Sequence, residues 1–284
     1  MLSVIIPCYN AADTIGVQLA ALASQTCGGP WEVIVADNGS MDGTREVVAR
    51  YRDRLPNLRI ADASARGGSA YARNTGARLA TGDRFVFCDA DDEVAPGWLA
   101  AMSQALTEHD FVASRFDLRK LNSEWLQYVY GYHPQQDGVT TLPYPPYLPH
   151  AGGSGLGIKK AVHDAIGGFD ESLPFLQDTE YCIKAQLAGG VKLHFVGEAV
   201  LHVRYRNTAK GVFRQARSWA QYNVLMYQRY RTPGTREYWR WRQHVKEWTH
   251  LLRKIRDFDQ HWLRLLGWQI GKLIGSLKYR VPPI

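Results

Sequence analysis

Phe85-Val-Phe-Cys-Asp-Ala-Asp-Asp-Glu93 decides how the chain folds, because an apolar run passes there straight into an acidic cluster. Phe85 to Cys88, bounded by Gly82-Asp83 before and by polar residues after, reads as a buried strand. Its end is a sheet edge carrying Asp89, Asp91, Asp92 and Glu93. Two carboxylates ~5 Å apart repel by about 3 kcal/mol at an effective dielectric of 20. A half-buried cluster of this kind wants a counter-ion, and hard oxygen donors suit Mn2+ or Mg2+. A solvated acidic turn is the plainer alternative, since Asp-x-Asp recurs at Asp257-Phe-Asp259 in a helical pattern with no strand before it.

Upstream, Ser3-Val-Ile-Ile-Pro-Cys-Tyr-Asn10 reads as a buried strand stopped by Pro7 and a turn. Asp13 or Thr14 can cap the helix that follows, whose stripe is Ile15, Leu19 and Leu22. Trp31 to Ala36 is a second strand, turning at Asp37-Asn-Gly-Ser40, and Leu58 to Ile60 a short third. Helices are expected at Thr44–Tyr51 and Ser69–Ala80. Strands alternating with helices over about ninety residues argue a parallel, doubly wound sheet. Ligands of such sheets bind beyond the carboxyl ends of the strands, so the turns at Pro7–Asn10, Asp37–Ser40 and Asp89–Asp92 should line one crevice. There Asp37 can accept a bond from a base N–H, although Asp-Asn-Gly-Ser is also a good generic turn. Asn10 and backbone groups at the helix start can hold a ribose or phosphate. Neither G-x-G-x-x-G after the first strand nor a P-loop occurs. Arg73, in a helix fed by the loop Arg66-Gly-Gly-Ser69, suits either a diphosphate contact or an internal salt bridge.

Downstream, Pro96–Leu106 reads as a helix and Phe111–Ser114 as a strand. Residues 120–150 lack periodicity and suggest a functional loop or excursion. Ala151-Gly-Gly-Ser-Gly-Leu-Gly157 marks a tight passage of backbone. Ala161–Ile166 is a short helix, and another opens after Phe175 with Asp178 and Glu180 near its start, where the helix dipole favours carboxylates and simple capping is the alternative role. Val191–Phe195 and Ala199–Val203 are strand-like, and His202 in the second is by itself as well suited to packing as to ligation.

A chain of 284 residues with 45% hydrophobic and 21% charged content has room for one large α/β domain with an appendage. Cys8, Cys27, Cys88 and Cys182 show no CxxC pairing, which points to reduced thiols. No signal peptide opens the sequence, and no run approaches the ~18 apolar residues of a membrane span. The net charge of +7 hides an asymmetry: residues 204–284 carry +14 and residues 1–203 carry −7. Two parts are therefore expected, a catalytic domain over 1–205 and a basic helical extension over 206–284. In the extension, Val212–Tyr230 is helical, Thr232-Pro-Gly-Thr235 breaks it, and an apolar stripe from Trp248 through Phe258 to Leu266 alternates with Arg253, Lys254, Arg256 and Arg264. That basic, Trp-bearing amphipathic pattern suits an anionic membrane surface, or packing on the rest of the protein. Gly267, Gly271 and Gly275 recur every fourth place, which suits close helix–helix or helix–lipid approach, or a frayed tail.

Ser3-Val-Ile-Ile-Pro-Cys-Tyr-Asn10, Val35-Ala-Asp-Asn-Gly-Ser-Met-Asp-Gly-Thr44, Ala72-Arg-Asn-Thr-Gly76, Asp89-Ala-Asp-Asp92, Gly167-Gly-Phe-Asp-Glu171 and Gln177-Asp-Thr-Glu-Tyr181 follow one another over residues 1 to about 205. In that order they resemble the family 2 glycosyltransferases. The resemblance implies a glycosyltransferase-A fold, a mainly parallel Rossmann-like sheet with helices on both faces, and an inverting transfer from a nucleotide-diphosphate sugar, UDP-sugars favoured. It implies that Pro7, Tyr9 and Asn10 lie by the nucleoside and that Asp37 reads the base. Arg73 would belong to the donor site, Asp89 would lie near ribose and metal, and Asp91 would bind a Mn2+ or Mg2+ ion bridging the diphosphate. His202 matches a histidine that also meets metal or diphosphate, and Asp178 matches the general base. Gly153, Phe169 and Gln177 are expected on the acceptor side. Two departures stand out. Asn38 replaces a second aspartate common in the base-reading turn, and Gln177 removes a negative charge often found beside the base.

The implied acceptor is a saccharide or lipid-linked saccharide used in cell-surface polysaccharide or glycoconjugate synthesis, and the implied place the cytoplasmic face of a membrane. A sugar-nucleotidyltransferase would want a Gly-rich, basic loop after the first strand, where Pro7-Cys-Tyr-Asn10 stands. A catalytically inactive nucleotide- or membrane-binding scaffold is a further alternative, although every expected carboxylate is present. A nucleic-acid partner is not expected, because the basic residues of the tail alternate with an apolar stripe. The sequence carries no sign of an oligomeric state.

Overall fold

A computed structural model describes residues 1–55, 57–231, 241–255 and 259–282. They fall into two compact units, one of Met1–Leu121, His133–Thr140 and Pro149–Arg204, the other of Asn122–Tyr132, Thr141–Leu148 and Tyr205–Ile284. The irregular stretch 120–150 thus contributes two segments to the unit that holds the C-terminal helices.

In chain order the strands are β1 (Leu2–Cys8), β2 (Trp31–Asp37), β3 (Leu58–Asp62), β4 (Arg84–Phe87), β5 (Glu93–Val94), β6 (Phe111–Asp117), the two-residue β7 (Thr140–Thr141) and β8 (Pro149–His150), β9 (Leu156–Lys159) and β10 (Leu193–His202). The helices are α1 (Ile15–Ala23), α2 (Thr44–Ala49), α3 (Ser69–Leu79), α4 (Trp98–Glu108), α5 (Glu124–Tyr130), α6 (Lys160–Ala165), α7 (Gln177–Leu187), α8 (Ala209–Tyr230), α9 (Trp241–Arg253) and α10 (Gln260–Tyr279). Eight strands make one sheet in the order β3-β2-β1-β4-β9-β6-β10-β5. The neighbours β3, β2, β1 and β4 run parallel, as the alternation of strands and helices predicts. Val4, Ile5, Ile6, Val33, Ile34, Val35, Phe85, Val86 and Phe87 are all at most 1% exposed, the two-sided burial typical of such a sheet. The closeness of α3 to β1 depends on Gly76, where a Cβ would stand 2.5 Å from the Ile5 side chain.

The structure differs from the sequence reading in four places. Pro7 does not stop β1, which continues to Cys8 with Pro7 opposite Ala36. The Ile5 carbonyl accepts from Cys88 N, so odd-numbered residues of β1 face β4. The pairing with β4 ends at Ile5–Phe87, and the N–H that proline lacks would have pointed past that end. The tight passage at 151–157 leads into an unforeseen strand, β9, which runs antiparallel to both β4 and β6 and joins the two halves of the sheet. The two strands expected at 191–203 are one strand, β10, with an irregularity between Val196 and Val200 in its pairing to β6. Glu93-Val94, read as the tail of the acidic turn, is the edge strand β5, antiparallel to Leu201-His202.

In the second unit, Leu126, Val129, Tyr130 and Val212 form a small core joined by Trp125, Tyr205 and Trp219. The break expected at Thr232–Thr235 lies outside the described residues, as do Arg256, Asp257 and Phe258 of the apolar stripe. Asp259 does not ligate: its Oδ1 accepts from Trp262 N at 2.7 Å and caps α10. Trp262 is buried, its Nε1 donating to the Leu251 carbonyl. The glycine stripe is a helix–helix seam. A Cβ on Gly267 would stand 2.6 Å from the Phe213 carbonyl oxygen and one on Gly275 2.8 Å from that of Gln221, while one on Gly271 would press on the Arg217 carbonyl. Those α8 partners are themselves four residues apart, so two helical faces meet at backbone contact. Another face of α10 leaves Leu273, Ile274 and Leu277 exposed.

Gly271→Ala separates this seam from helix propensity. Propensity alone makes alanine about 1 kcal/mol the better residue, whereas overpacking costs typically 1–3 kcal/mol. Denaturation of the full chain, followed by helical circular dichroism, is expected to show a lower midpoint for Gly271→Ala; a raised midpoint would contradict the seam.

Candidate active site

The ends of β1 and β2 build one wall. Asn38 N donates to the Cys8 carbonyl at 2.7 Å, tying the two strand ends together. Asp37 is 1% exposed, with Oδ1 accepting from Ser40 N at 3.2 Å and Oδ2 from Nε of the half-exposed Arg45. Asn10 adopts a left-handed backbone (φ 46°), donates from its N to Ser40 Oγ and accepts from Met41 N, so the turn after β1 is latched to the turn after β2. Tyr9, beside it, is 60% exposed. Burial pushes the Cys8 thiol up to about 12, and the charges of Asp37, Asp42 and Asp91 add to the effect.

The Asn38 side chain uses both ends of its amide. Its Nδ2 donates to the carbonyls of Ala63 (2.5 Å) and Arg66 (2.7 Å), while Oδ1 accepts from Gly68 N at 2.8 Å. A carboxylate has no proton for the first two bonds. Asn38 thereby fixes the loop from β3 to α3, the loop that delivers Arg73.

At the end of β4, Asp89, Asp91 and Asp92 bring ligand atoms within 4.8 Å of one another. Asp92 is buried and has both oxygens occupied: Oδ2 accepts from Ser154 Oγ, Oδ1 from Arg204 N at 2.9 Å. Burial, with Asp89 and Asp91 adding, pushes its carboxyl well above the usual range. Ser154 Oγ also accepts from Asp89 N at 3.0 Å, and Arg204 Nε donates to the Asp91 carbonyl. Glu93 points elsewhere, paired to Lys120. Arg73 supplies the cation: it is 3% exposed, and its Nη2 donates to Asp89 Oδ1 at 2.6 Å. Its Nε and Nη1 are buried without a hydrogen-bond partner. Of the two roles the sequence allowed, the structure displays the ion pair. Next to Arg73 on α3, Asn74 bonds the backbone of Phe169 in both directions and also Glu171.

His202 does not belong to the acidic triad. Its Nδ1 lies 2.6 Å from Asp117 Oδ2, the orientation in which a histidine held by a carboxylate presents Nε2 to a ligand.

Asp178 lies in the first turn of α7, following Leu176 in a left-handed conformation (φ 57°). Its Oδ1 accepts from Thr179 N at 2.8 Å, and its Oδ2 from Gly153 N at 2.9 Å. Gly153 is wedged: a Cβ there would stand 3.1 Å from the Arg73 guanidinium and 3.3 Å from Asp178 Cβ. Asp89, Arg73, Gly153 and Asp178 are therefore consecutive neighbours, and the acidic cluster is linked to the separate carboxylate through one glycine. Gln177 Nε2 donates to Ser69 Oγ at 2.9 Å, joining the starts of α7 and α3. Phe169, expected on the acceptor side, is 2% exposed, stacks on Tyr181 at 4.0 Å and lies under the Arg73 guanidinium at 5.4 Å, so it serves the site from within the core.

Sequence reasoning missed the parts of Asp92, Ser154, Asn74, Asp117, Arg204 and His150. Asp92, Ser154 and Asn74 lie inside motifs already singled out, where spacing marks the segment but not each side chain's direction. Asp117, Arg204 and His150, the last close enough to Asp178 to feel its charge, carry no local signal.

The family model described as glycosyl transferase family 2 matches residues 3–167. The chain is similar to the uncharacterized glycosyltransferase YibD of Escherichia coli (strain K12), 35% identical over 127 residues, which cover 44% of this chain and 34% of that protein. It is similar also to the UDP-Glc:alpha-D-GlcNAc-diphosphoundecaprenol beta-1,3-glucosyltransferase WfgD of Escherichia coli, 35% identical over 92 residues, covering 32% of this chain and 35% of that one. The chain thus spans about a third of the length of these curated relatives. Among solved structures, the mannosyltransferase PcManGT from Pyrobaculum calidifontis in complex with GDP-Man and Mn2+ superposes with a TM-score of 0.61 at 22% identity, covering 98% of this chain and 72% of that one, a likeness of fold. With more than half of its length matched by the family model, this chain, a mixed α/β protein with a glycosyltransferase-A-type sheet, belongs to glycosyl transferase family 2.

Proposed function

We propose that the protein is a metal-dependent, inverting glycosyltransferase that moves a sugar from a nucleotide-diphosphate sugar, UDP-sugars favoured, to a hydroxyl of a saccharide or lipid-linked saccharide. The observation that carries this reading is the contact path from Asp89 through Arg73 and Gly153 to Asp178. It sets a group fit for the donor's diphosphate beside a separate carboxylate fit for the acceptor's proton. A uridine donor is supported by the relative named for UDP-Glc, and a divalent ion by the structural neighbour named for Mn2+.

The donor set fits a hard divalent cation. Its oxygen ligands converge, and Asp89 and Asp91, the less buried members of the triad, are the residues that would hold it. A bound Mn2+ or Mg2+ ion would offset the charge that builds on the departing diphosphate. Pro7, Tyr9, Asn10 and Asp37 hold the nucleoside, with Arg45 orienting Asp37. Arg73 positions Asp89 and keeps two nitrogens toward the site's excess negative charge. His202, steadied by Asp117, offers Nε2 from the far side. Asp178, aimed by Gly153 N and Thr179 N, takes the proton of the acceptor hydroxyl as it attacks the anomeric carbon. Gly153 and Gln177 shape the acceptor side. A peripheral place on the cytoplasmic face of a membrane rests on the basic residues after 204 and the exposed Leu273, Ile274 and Leu277; no described helix is long and apolar enough to cross a membrane.

Asp178→Asn is expected to keep donor binding in calorimetry while transfer falls by about 10²–10⁴, the usual worth of a general base. Near-normal transfer would remove Asp178 from this role. Asn38→Asp loses two hydrogen bonds and sets a carboxylate against two carbonyls, a cost of about 1–3 kcal/mol. Its melting temperature and its affinity for UDP should both fall, and unchanged values would refute the clamp. Sedimentation with phosphatidylglycerol vesicles should be salt-sensitive and weakened in the double variant Leu273→Ser/Leu277→Ser; equal recovery in the supernatant with and without vesicles rules out the membrane reading.

A further inference from the structure

Helices α9 and α10, both of the second unit, border a cavity of about 560 Å³, within the range of small-ligand sites. One part of its wall is basic, with the cations Lys246 and Arg264 and the imidazole of His250; another is apolar, formed by Leu251, Leu265 and Trp268. The charges do not balance from within. The carboxylate on the wall, Glu247, is already committed: it accepts from Gln243 Nε2 at 3.1 Å, Gln269 Nε2 at 2.9 Å and Lys272 Nζ at 3.1 Å. Arg264 and Lys246 have no carboxylate partner among the described residues.

Arg264 is the costlier of the two. Burial pulls its guanidinium below its ordinary value, and its cationic companion is the face of Tyr130 at 5.2 Å, a ring itself stacked on Tyr205 at 3.8 Å. A cation–π contact offsets only part of what a partly buried guanidinium loses in hydration. Gln269 is 5% exposed and its Oε1 is buried without a donor. A ligand that brings negative charge to Arg264 and Lys246 and a hydroxyl to Gln269 would complete every one of these groups.

We infer that this cavity binds an anionic amphiphile, a phosphate ester whose head lies against Arg264, Lys246 and His250 and whose hydrocarbon lies along Leu265 and Trp268. The anion replaces the water that Arg264 has lost, and the chain covers the apolar wall. None of the donor-site residues takes part, so the inference stands or falls apart from the transfer reaction.

The full chain is titrated by calorimetry with decyl phosphate below its micelle concentration, and in parallel with inorganic phosphate and with decyl maltoside. Decyl phosphate is expected to bind at least about tenfold more tightly than either, the factor that one charge-assisted hydrogen bond of about 1.4 kcal/mol or more supplies. Arg264→Gln and the exposed Lys246→Gln should each weaken it about tenfold, whereas Lys278→Gln, on α10 but outside the cavity, should not. UDP binding should stay unchanged in all three. Equal affinity for decyl maltoside reduces the site to an apolar patch, and equal affinity for inorganic phosphate removes the hydrocarbon part; either overturns the inference. Undiminished binding in both Arg264→Gln and Lys246→Gln overturns the location, and Lys246→Gln keeps that test open if Arg264→Gln does not fold. Phosphatidylglycerol vesicles separate two sources of the same chemistry. Sedimentation lost in Arg264→Gln identifies a bilayer phospholipid; decyl phosphate binding without that loss identifies a phosphate ester taken up singly.

Discussion

Three aspartates with ligand atoms within 4.8 Å of one another cannot all keep their charge on the end of a buried strand unless the surrounding chain is arranged for them. Much of the first unit is arranged in that way. Asp92 is withdrawn into the protein and given two donors, Ser154 Oγ and Arg204 N. Asp89 is held by a buried guanidinium, and Arg73 can be buried because α3 approaches β1 at Gly76 and because the Phe169 ring lies beneath it. The turn that carries Phe169 is fastened to α3 by Asn74. Asp89 and Asp91 are the two carboxylates of the triad that are only partly buried.

The segment 151–155 ties this arrangement together, since it meets the site at two successive residues, Gly153 and Ser154. Gly152 N donates to Gln135, Gly153 N to Asp178, and Ser154 bridges Asp89 and Asp92. The segment reaches that place because β9 follows it and is pinned antiparallel between β4 and β6, with Gly155 N donating to the Phe87 carbonyl at 2.6 Å. An antiparallel strand among parallel neighbours thus brings the acidic end of β4 toward the carboxylate of α7. Asp178 and Arg73 are far apart in sequence, yet they share Gly153 as a neighbour.

The second unit follows a different logic. Its α8 and α10 meet through glycines, so backbone contact replaces side-chain interdigitation and spends little apolar surface on the seam. The side chains of α10 are then free for other faces. Arg264 stacks on Tyr130, Trp262 and Gln269 reach toward α9, and Leu273, Ile274 and Leu277 meet solvent. The basic, Trp-bearing stripe is therefore divided: Trp262 is core while Leu252 and Ile255 meet solvent.

Strand and helix positions and the parallel run of the first four strands were legible in the residues, because period and turn chemistry are local properties. The family resemblance rested on motifs contained within single turns. By contrast, β9, the bulge in β10 and the edge strand β5 were invisible, since a four-residue strand such as Leu156–Lys159 gains its pairing from partners about seventy residues before it and forty before it. Asn38 looked like a tolerated departure until the two carbonyls it binds came into view, and Glu93 looked like a member of the acidic cluster until Lys120 took it. Direction was the missing quantity. Sequence by itself determined which residue types stood at the strand ends, but which of those carboxylates faced the crevice, and which were turned inward and neutralised, was decided by tertiary packing, because a charge's partners are set by distance in space and not by separation along the chain.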